Sequence, residues 1–148
     1  RPVRLMILGE GKKRRELEEL ADSLGVRQDL ALPGFEENPF AYMARAGVFV
    51  LSSAYEGLPG VLIQAMASGC PVVSTDCPSG PMEILEHGSY GPLVPVGDDT
   101  AMAEAIQTVL DAPPSQERLR MRAAEFSMDR AVEQHLEVLF AVYKQSHV

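Results

Sequence analysis

Short apolar runs alternate along this chain with longer segments in which apolar residues recur every three or four positions. Five runs predict strands: Val3 to Leu8, Leu30 to Leu32, Val48 to Leu51, Pro71 to Ser74 and Leu93 to Val96. Each is continuous rather than alternating, the pattern of a strand covered on both faces. Glu16, Leu17, Leu20, Ala21 and Leu24 form an amphipathic stripe that Gly25 stops. Pro39 starts a short helix through Ala46 at the first position proline favours. Leu58, Val61, Leu62, Ala65 and Met66 repeat at helical spacing before Gly69. Asp98 or Asp99 caps a helix reaching Leu110, and Pro113 and Pro114 break it. Two more helices, about Gln116 to Ala124 and Met128 to Tyr143, complete the chain. Strand and helix in alternation predict an α/β fold with a doubly wound parallel sheet. The last helix carries the stripe Val132, Leu136, Leu139, Phe140 and Tyr143, which is expected to pack on that sheet.

The length of 148 residues matches one domain of roughly 150. A formal charge of −8 argues against nucleic acid or anionic lipid as a partner, so an anion must be gripped locally. The apolar stretch from Leu58 to Val73 is broken by Pro59, Gln64, Gly69 and Pro71, short of the ~20 continuous apolar residues of a membrane helix. No transmembrane segment is expected. Cys70 and Cys77 flank a strand, about 20 Å apart at ~3.3 Å per residue, beyond disulfide reach. Reduced thiols and a cytoplasmic location follow. The opening Arg1-Pro2 leads directly into an apolar run without the pattern of a secretion signal.

In doubly wound sheets ligands bind where strand ends lead into helix N-termini. Gly9-Glu10-Gly11 has Arg14 where a dinucleotide fingerprint needs its third glycine, so it reads as a tight turn before a solvated basic helix start at Lys12 to Arg15. His87 and His135 lack metal-ligand spacing and read as solvated, and His147 falls in the C-terminal tail. The loop Ser52 to Gly60 is richer. It carries one carboxylate, Glu56, bends through glycines and enters a helix whose first free amides lie near Gly60 and Val61, an arrangement that favours an anion. Gln64 stands one turn inside, off the apolar stripe. Spacing alone leaves a second reading open, in which Glu56 only caps the helix and Gln64 is only solvated.

The block Glu56-Gly57-Leu58-Pro59-Gly60-Val61-Leu62-Ile63-Gln64-Ala65-Met66-Ala67-Ser68-Gly69-Cys70-Pro71-Val72-Val73 resembles the donor-site signature of the retaining glycosyltransferase family 4. Leu8-Gly9-Glu10-Gly11, Pro33-Gly34-Phe35, Ala46 to Ser52, Ser74 to Pro81 and Gly91 to Asp98 fall in order at that family's other landmarks. The resemblance implies a Rossmann-like doubly wound sheet, the C-terminal, nucleotide-sugar half of a two-domain GT-B enzyme, with its first strand–helix unit missing and helices at its C-terminus. It implies transfer of a hexosyl-type sugar, with retention, from a donor such as a UDP- or GDP-sugar, without metal or cofactor. The acceptor, a glycan or a lipid-linked glycan, would be held by an N-terminal domain, toward which the C-terminal end of the chain would cross as the alternative to packing on its own sheet, and which could bring the protein to the cytoplasmic face of a membrane. By the same resemblance Glu56 touches the transferred sugar as the catalytic residue, Gly57, Leu58 and Pro59 form the donor loop, and Gly60 and Val61 present amides to the diphosphate. Gly34 and Phe35 would wall the nucleobase.

Two departures stand out. The family's second glutamate, which holds the ribose hydroxyls, is here Gln64. The Arg and Lys that clamp the diphosphate belong to a strand–loop–helix unit preceding Val3, and nothing in this chain matches them. The chain alone is therefore expected to bind donor weakly and to catalyse nothing. The missing strand would separate the runs at Val3–Leu8 and Val48–Leu51, which are expected to close up and pair; a strand from another chain or a solvent-filled gap are the alternatives. The loop Asp76 to Pro81 reads as a proline-stiffened turn before a helix at Met82, with a role at the donor rim as the alternative, and Cys77 as inert. Two other functions compete: a non-catalytic nucleotide-binding module, and a receiver domain, for which Leu8-Gly9 and Val94-Pro95 lack the required acidic cluster and lysine.

Overall fold

The computed structural model describes residues 2–145, leaving His147 outside. Chain contacts divide at Pro39 and Phe40 into two compact units, each with its own parallel sheet.

In the first unit, β1 (Leu5–Leu8), α1 (Arg14–Ser23), a 3-10 turn (Arg27–Asp29) and β2 (Leu30–Gly34) make one strand–helix–strand crossover. The strands run parallel, Leu5 beside Leu30 and Leu8 beside Gly34, with an irregularity between Met6 and Leu8. Among the α1 residues only Ala21 is buried. The helix's polar surface carries Lys13–Glu16 at 2.7 Å and Arg15–Glu19 at 2.8 Å, exposed pairs of little energetic weight. The expectation that every strand is covered on both faces fails here, because Leu5 and Met6 are half exposed. Apolar continuity reports what a strand tolerates, not what lies against it.

The second unit contains α2 (Pro39–Met43), which begins at the boundary, then β3 (Phe49–Leu51), α3 (Gly60–Ala67), β4 (Val72–Thr75), α4 (Pro81–Ile84), β5 (Leu93–Val94), α5 (Asp99–Asp111), α6 (Gln116–Ala124) and α7 (Met128–Gln145). The sheet order is β3-β4-β5, all parallel. Its central strand β4 is buried along its whole length. Beneath it lies the core of Leu62, Ala65 and Met66 from α3, Ile84 and Leu85 at α4, and Leu119 and Ala123 from α6. Each large side chain buried there contributes roughly 1.5–3 kcal/mol. Gly69, at φ 77°, ends α3 in a left-handed turn. Its amide bonds to Met66 and that of Cys70 to Ala65, satisfying the last carbonyls of the helix.

Helix α3 begins at Gly60, where the sequence places its first free amides, with Pro59 (φ −71°, ψ 87°) as an N-cap outside helical geometry. Two expectations change and one open alternative is settled. β5 ends at Val94 rather than Val96, since Pro95 has no amide for a ladder and its carbonyl turns back to accept from Asp98 N. Asp98, not Asp99, caps α5, accepting from Ala101 N at 2.9 Å. The closing-up of Val3–Leu8 onto Val48–Leu51 does not occur: β1 is paired with β2, and β3 with β4. That expectation assumed a buried edge, whereas Leu5 and Met6 on β1 are open to solvent, so an unpaired ladder there costs little.

The α7 stripe also departs from expectation. Val132, Leu136, Leu139, Phe140 and Tyr143 stay between 45% and 64% exposed instead of packing on the sheet. Among the described residues no helix is long and apolar enough to cross a membrane.

Candidate functional site

The candidate site is built on the turn from β3 to α3. Leu51 is the last residue of β3 and is buried, and the chain leaves the sheet through Ser52 and Ser53. Buried Thr75, at the end of β4, ties this exit down: its Oγ1 donates to Ser53 O at 2.5 Å and approaches Leu51 O at 3.4 Å. Ser53 Oγ in turn donates to Glu56 Oε1 at 2.6 Å. The half-buried Glu56 is thereby held by its own loop and not by the interior.

Beyond Glu56 the loop turns at Gly57 and reaches buried Pro59. No side chain caps α3, so the reading of Glu56 as a capping carboxylate does not hold. Leu62 N bonds to Pro59 O at 2.9 Å, while among the described residues the amides of Gly60 and Val61 have no protein acceptor. The space beside both glycines is empty: a Cβ built on Gly57 or on Gly60 meets no atom within 4 Å. An open helix N-terminus with unpaired amides attracts negative charge, by roughly 0.3–1 kcal/mol from the dipole and more where direct hydrogen bonds form. Gln64 is exposed, one turn along α3 from Gly60, and Leu58 and Tyr55 also face solvent.

Gly34 and Phe35 lie in the first unit. Gly34, at φ 93°, accepts from Gly9 N at 2.6 Å, and a Cβ on it would come within 2.6 Å of Glu10 Oε1. Phe35 is 79% exposed at the end of β2. Glu56, Gly57, Leu58, Pro59, Gly60, Val61 and Gln64 are brought together in one loop and one helix turn of the second unit.

Two contributors had no role assigned from the sequence, Ser53 and Thr75. Ser53 had a legible signal, a hydroxyl three residues ahead of a carboxylate. Thr75 had none, because its partner lies 22 residues away. Gly80, in the loop for which a place at the donor rim stood as the alternative to a stiff turn, packs its α-carbon directly against the Gly57 carbonyl and the Pro59 ring. The loop Asp76 to Pro81 therefore supports the loop that leads into α3. Cys77 is buried and Cys70 likewise, both as free thiols. His87 and His135 are exposed, His135 Nδ1 lying 2.6 Å from Ala131 O. Among the described residues no three His, Cys, Asp or Glu side chains gather as metal ligands.

Comparison with known proteins supports this topology. The family model described as glycosyl transferases group 1 matches residues 1–126. The N-acetylgalactosamine-N,N'-diacetylbacillosaminyl-diphospho-undecaprenol 4-alpha-N-acetylgalactosaminyltransferase of Campylobacter jejuni is 38% identical over 109 residues, 74% of this chain and 30% of that relative. The lipopolysaccharide outer core galactosyltransferase WaaB, in its apo form, superposes with a TM-score of 0.84 at 23% identity, over 93% of this chain and 40% of its own. TarM of S. aureus, in a complex that contains UDP, superposes with a TM-score of 0.83 at 25% identity, over 91% of this chain and 28% of its own. The chain thus spans about a third of the length of the curated relatives it matches. The fold is the C-terminal half of a GT-B architecture, α/β with parallel strands.

Proposed function

The chain belongs to the glycosyl transferases group 1 family, and from that premise we propose that it contributes the donor-binding domain of a longer retaining hexosyltransferase. Its donor is a nucleotide-diphosphate sugar, such as a UDP-sugar, for which the UDP held by TarM is a guide. Its acceptor is a glycan or lipid-linked glycan engaged by the rest of the enzyme, in line with the undecaprenol-linked substrate in the name of the Campylobacter relative. The carrying observation is the uncapped N-terminus of α3 at Gly60 and Val61, four residues after Glu56, whose carboxylate is held by Ser53.

In this reading the diphosphate accepts from the Gly60 and Val61 amides, Gln64 reaches the ribose, and Glu56 faces the sugar. Phe35 and Gly34 serve the nucleobase. The bond from the anomeric carbon to the diphosphate oxygen breaks as the bond to the acceptor oxygen forms on the same face, and the acceptor's proton leaves with the phosphate. Amides fixed before the reaction stabilise the departing charge, and a carboxylate stabilises the cationic sugar, the preorganised electrostatics that carry most enzymatic rate enhancement. No step calls for a metal held by this chain.

The test is titration of UDP into the complete enzyme that carries this chain, followed by turnover of UDP-glucose, UDP-galactose and UDP-N-acetylglucosamine with wild type and Glu56→Ala. Binding of UDP with turnover lost in the variant is expected. Binding of UDP with no turnover of any sugar donor would support a non-catalytic nucleotide-binding module instead.

A further inference from the structure

Resting on that reading of the site, we propose that Ser53 is a positioning residue that aims the Glu56 carboxylate at the sugar. Three links run from the core to the site. Thr75 is 3% exposed at the end of the central strand β4, and its hydroxyl donates to the Ser53 carbonyl at 2.5 Å. The Ser53 hydroxyl donates to Glu56 Oε1 at 2.6 Å in a partly buried setting. The strand thereby fixes the backbone of residue 53, and residue 53 fixes one oxygen of the carboxylate. Among the described residues the carboxylate has no other partner, so its second oxygen is left to a ligand.

Glutamate needs this restraint more than most side chains. It loses three rotatable bonds on ordering, and its loop carries Gly57 and an exposed Tyr55 on either side of it. A carboxylate that wanders among rotamers stabilises a transition state only in the fraction of time it points correctly. A short hydrogen bond to a hydroxyl anchored by the sheet settles that orientation before substrate arrives. UDP has no sugar for Glu56 to face, so binding of UDP should not sense Ser53, whereas turnover should.

The experiment uses the complete enzyme, with UDP release from UDP-glucose, UDP-galactose or UDP-N-acetylglucosamine into water as the readout. Ser53→Ala is expected to lower kcat by about tenfold or more, to leave the Kd for UDP within about twofold, and to leave Tm within about 2 °C. Ser53→Thr, which keeps the hydroxyl, is expected to restore most of the rate. In a Glu56→Ala background Ser53→Ala should cost nothing further, since its only route to the reaction is gone. Unchanged kcat in Ser53→Ala, a loss that follows Tm, a failure of threonine to rescue, or an added loss in the double variant would each overturn the positioning role while leaving the functional reading intact. A wild-type enzyme that neither binds UDP nor turns over any of the three donors would overturn both.

Discussion

The α-carbon of Gly80 sits against the carbonyl of Gly57, so closely that a Cβ on Gly80 would overlap both that oxygen and Cδ of Pro59. The loop after β4 thus sets the height of the loop before α3. Gly80 also holds φ 73° and ψ −68°, a conformation L side chains rarely adopt. Gly80→Ala is therefore expected to displace the loop before α3 and, if that loop binds the donor as proposed, to weaken UDP binding by about tenfold, or ~1.4 kcal/mol. Backbone strain should add a stability loss of roughly 1–3 kcal/mol. Calorimetric titration reports the first effect. Hydrogen exchange that accelerates at residues 57–62 while β4 stays protected would localise it.

Gln64 offers the opposite change. A neutral hydrogen bond is worth ~0.5–1.5 kcal/mol, and one to a charged group ~1.5–3. If its side chain meets ribose hydroxyls, Gln64→Glu in the complete enzyme should tighten UDP binding by about tenfold. The residue is exposed, so the substitution should barely move Tm. An unchanged or weaker Kd would show that position 64 does not touch the ribose.

The elements were legible in the sequence to within a few residues, because the signals that define them are local. Gly69 terminates α3 through its own left-handed turn, Pro39 opens α2, and Asp98 caps α5. What was not legible was contact. The apolar run at β1 and the stripe on α7 have the composition of covered surfaces, yet Leu5 and Phe140 are more than half exposed, because periodicity names the face of an element and not its partner. The same holds at the site. Glu56 and the α3 terminus could be found from a strand–loop–helix spacing, whereas Thr75 and Gly80 reach the loop across sequence separations that no local pattern encodes.

Cys70 provides a pH dependence with a definite sign. Burial pushes its thiol up to about 11 from an ordinary 9.0, partly offset by a backbone hydrogen bond from Phe49. The folded chain therefore holds the proton more tightly than the unfolded one. The resulting stability is fully present below pH 9 and is lost as pH rises toward about 11. Denaturant melts at pH 8 and pH 10.5 should differ more for wild type than for Cys70→Ala, by on the order of 2 kcal/mol. Equal differences in the two proteins would show that the thiol does not ionise on unfolding in that range.

Residues 1–148 by themselves should hold a nucleotide diphosphate poorly. Even a millimolar complex needs about −4.1 kcal/mol, and the anion seat offers two amides and a dipole of roughly 0.3–1 kcal/mol. Asp76 and Glu83 belong to the loop and helix flanking Gly80, and the chain carries a formal charge of −8, a net field that disfavours a diphosphate. No Arg or Lys side chain bonds to residues 52–60 among the described residues, and the basic residues of α6 are engaged elsewhere, Arg122 with the Ile84 and Glu83 carbonyls, Arg118 with Ser89 O and Arg120 with Gln116. UDP should therefore bind residues 1–148 with a Kd of about 1 mM or weaker, and the chain should release no UDP from a sugar donor. Its affinity should fall further as salt is lowered, because screening of that negative field is lost. A micromolar Kd for UDP on this chain alone would mean that the Gly60 and Val61 amides suffice without cationic help, and that the negative field does not reach the ligand.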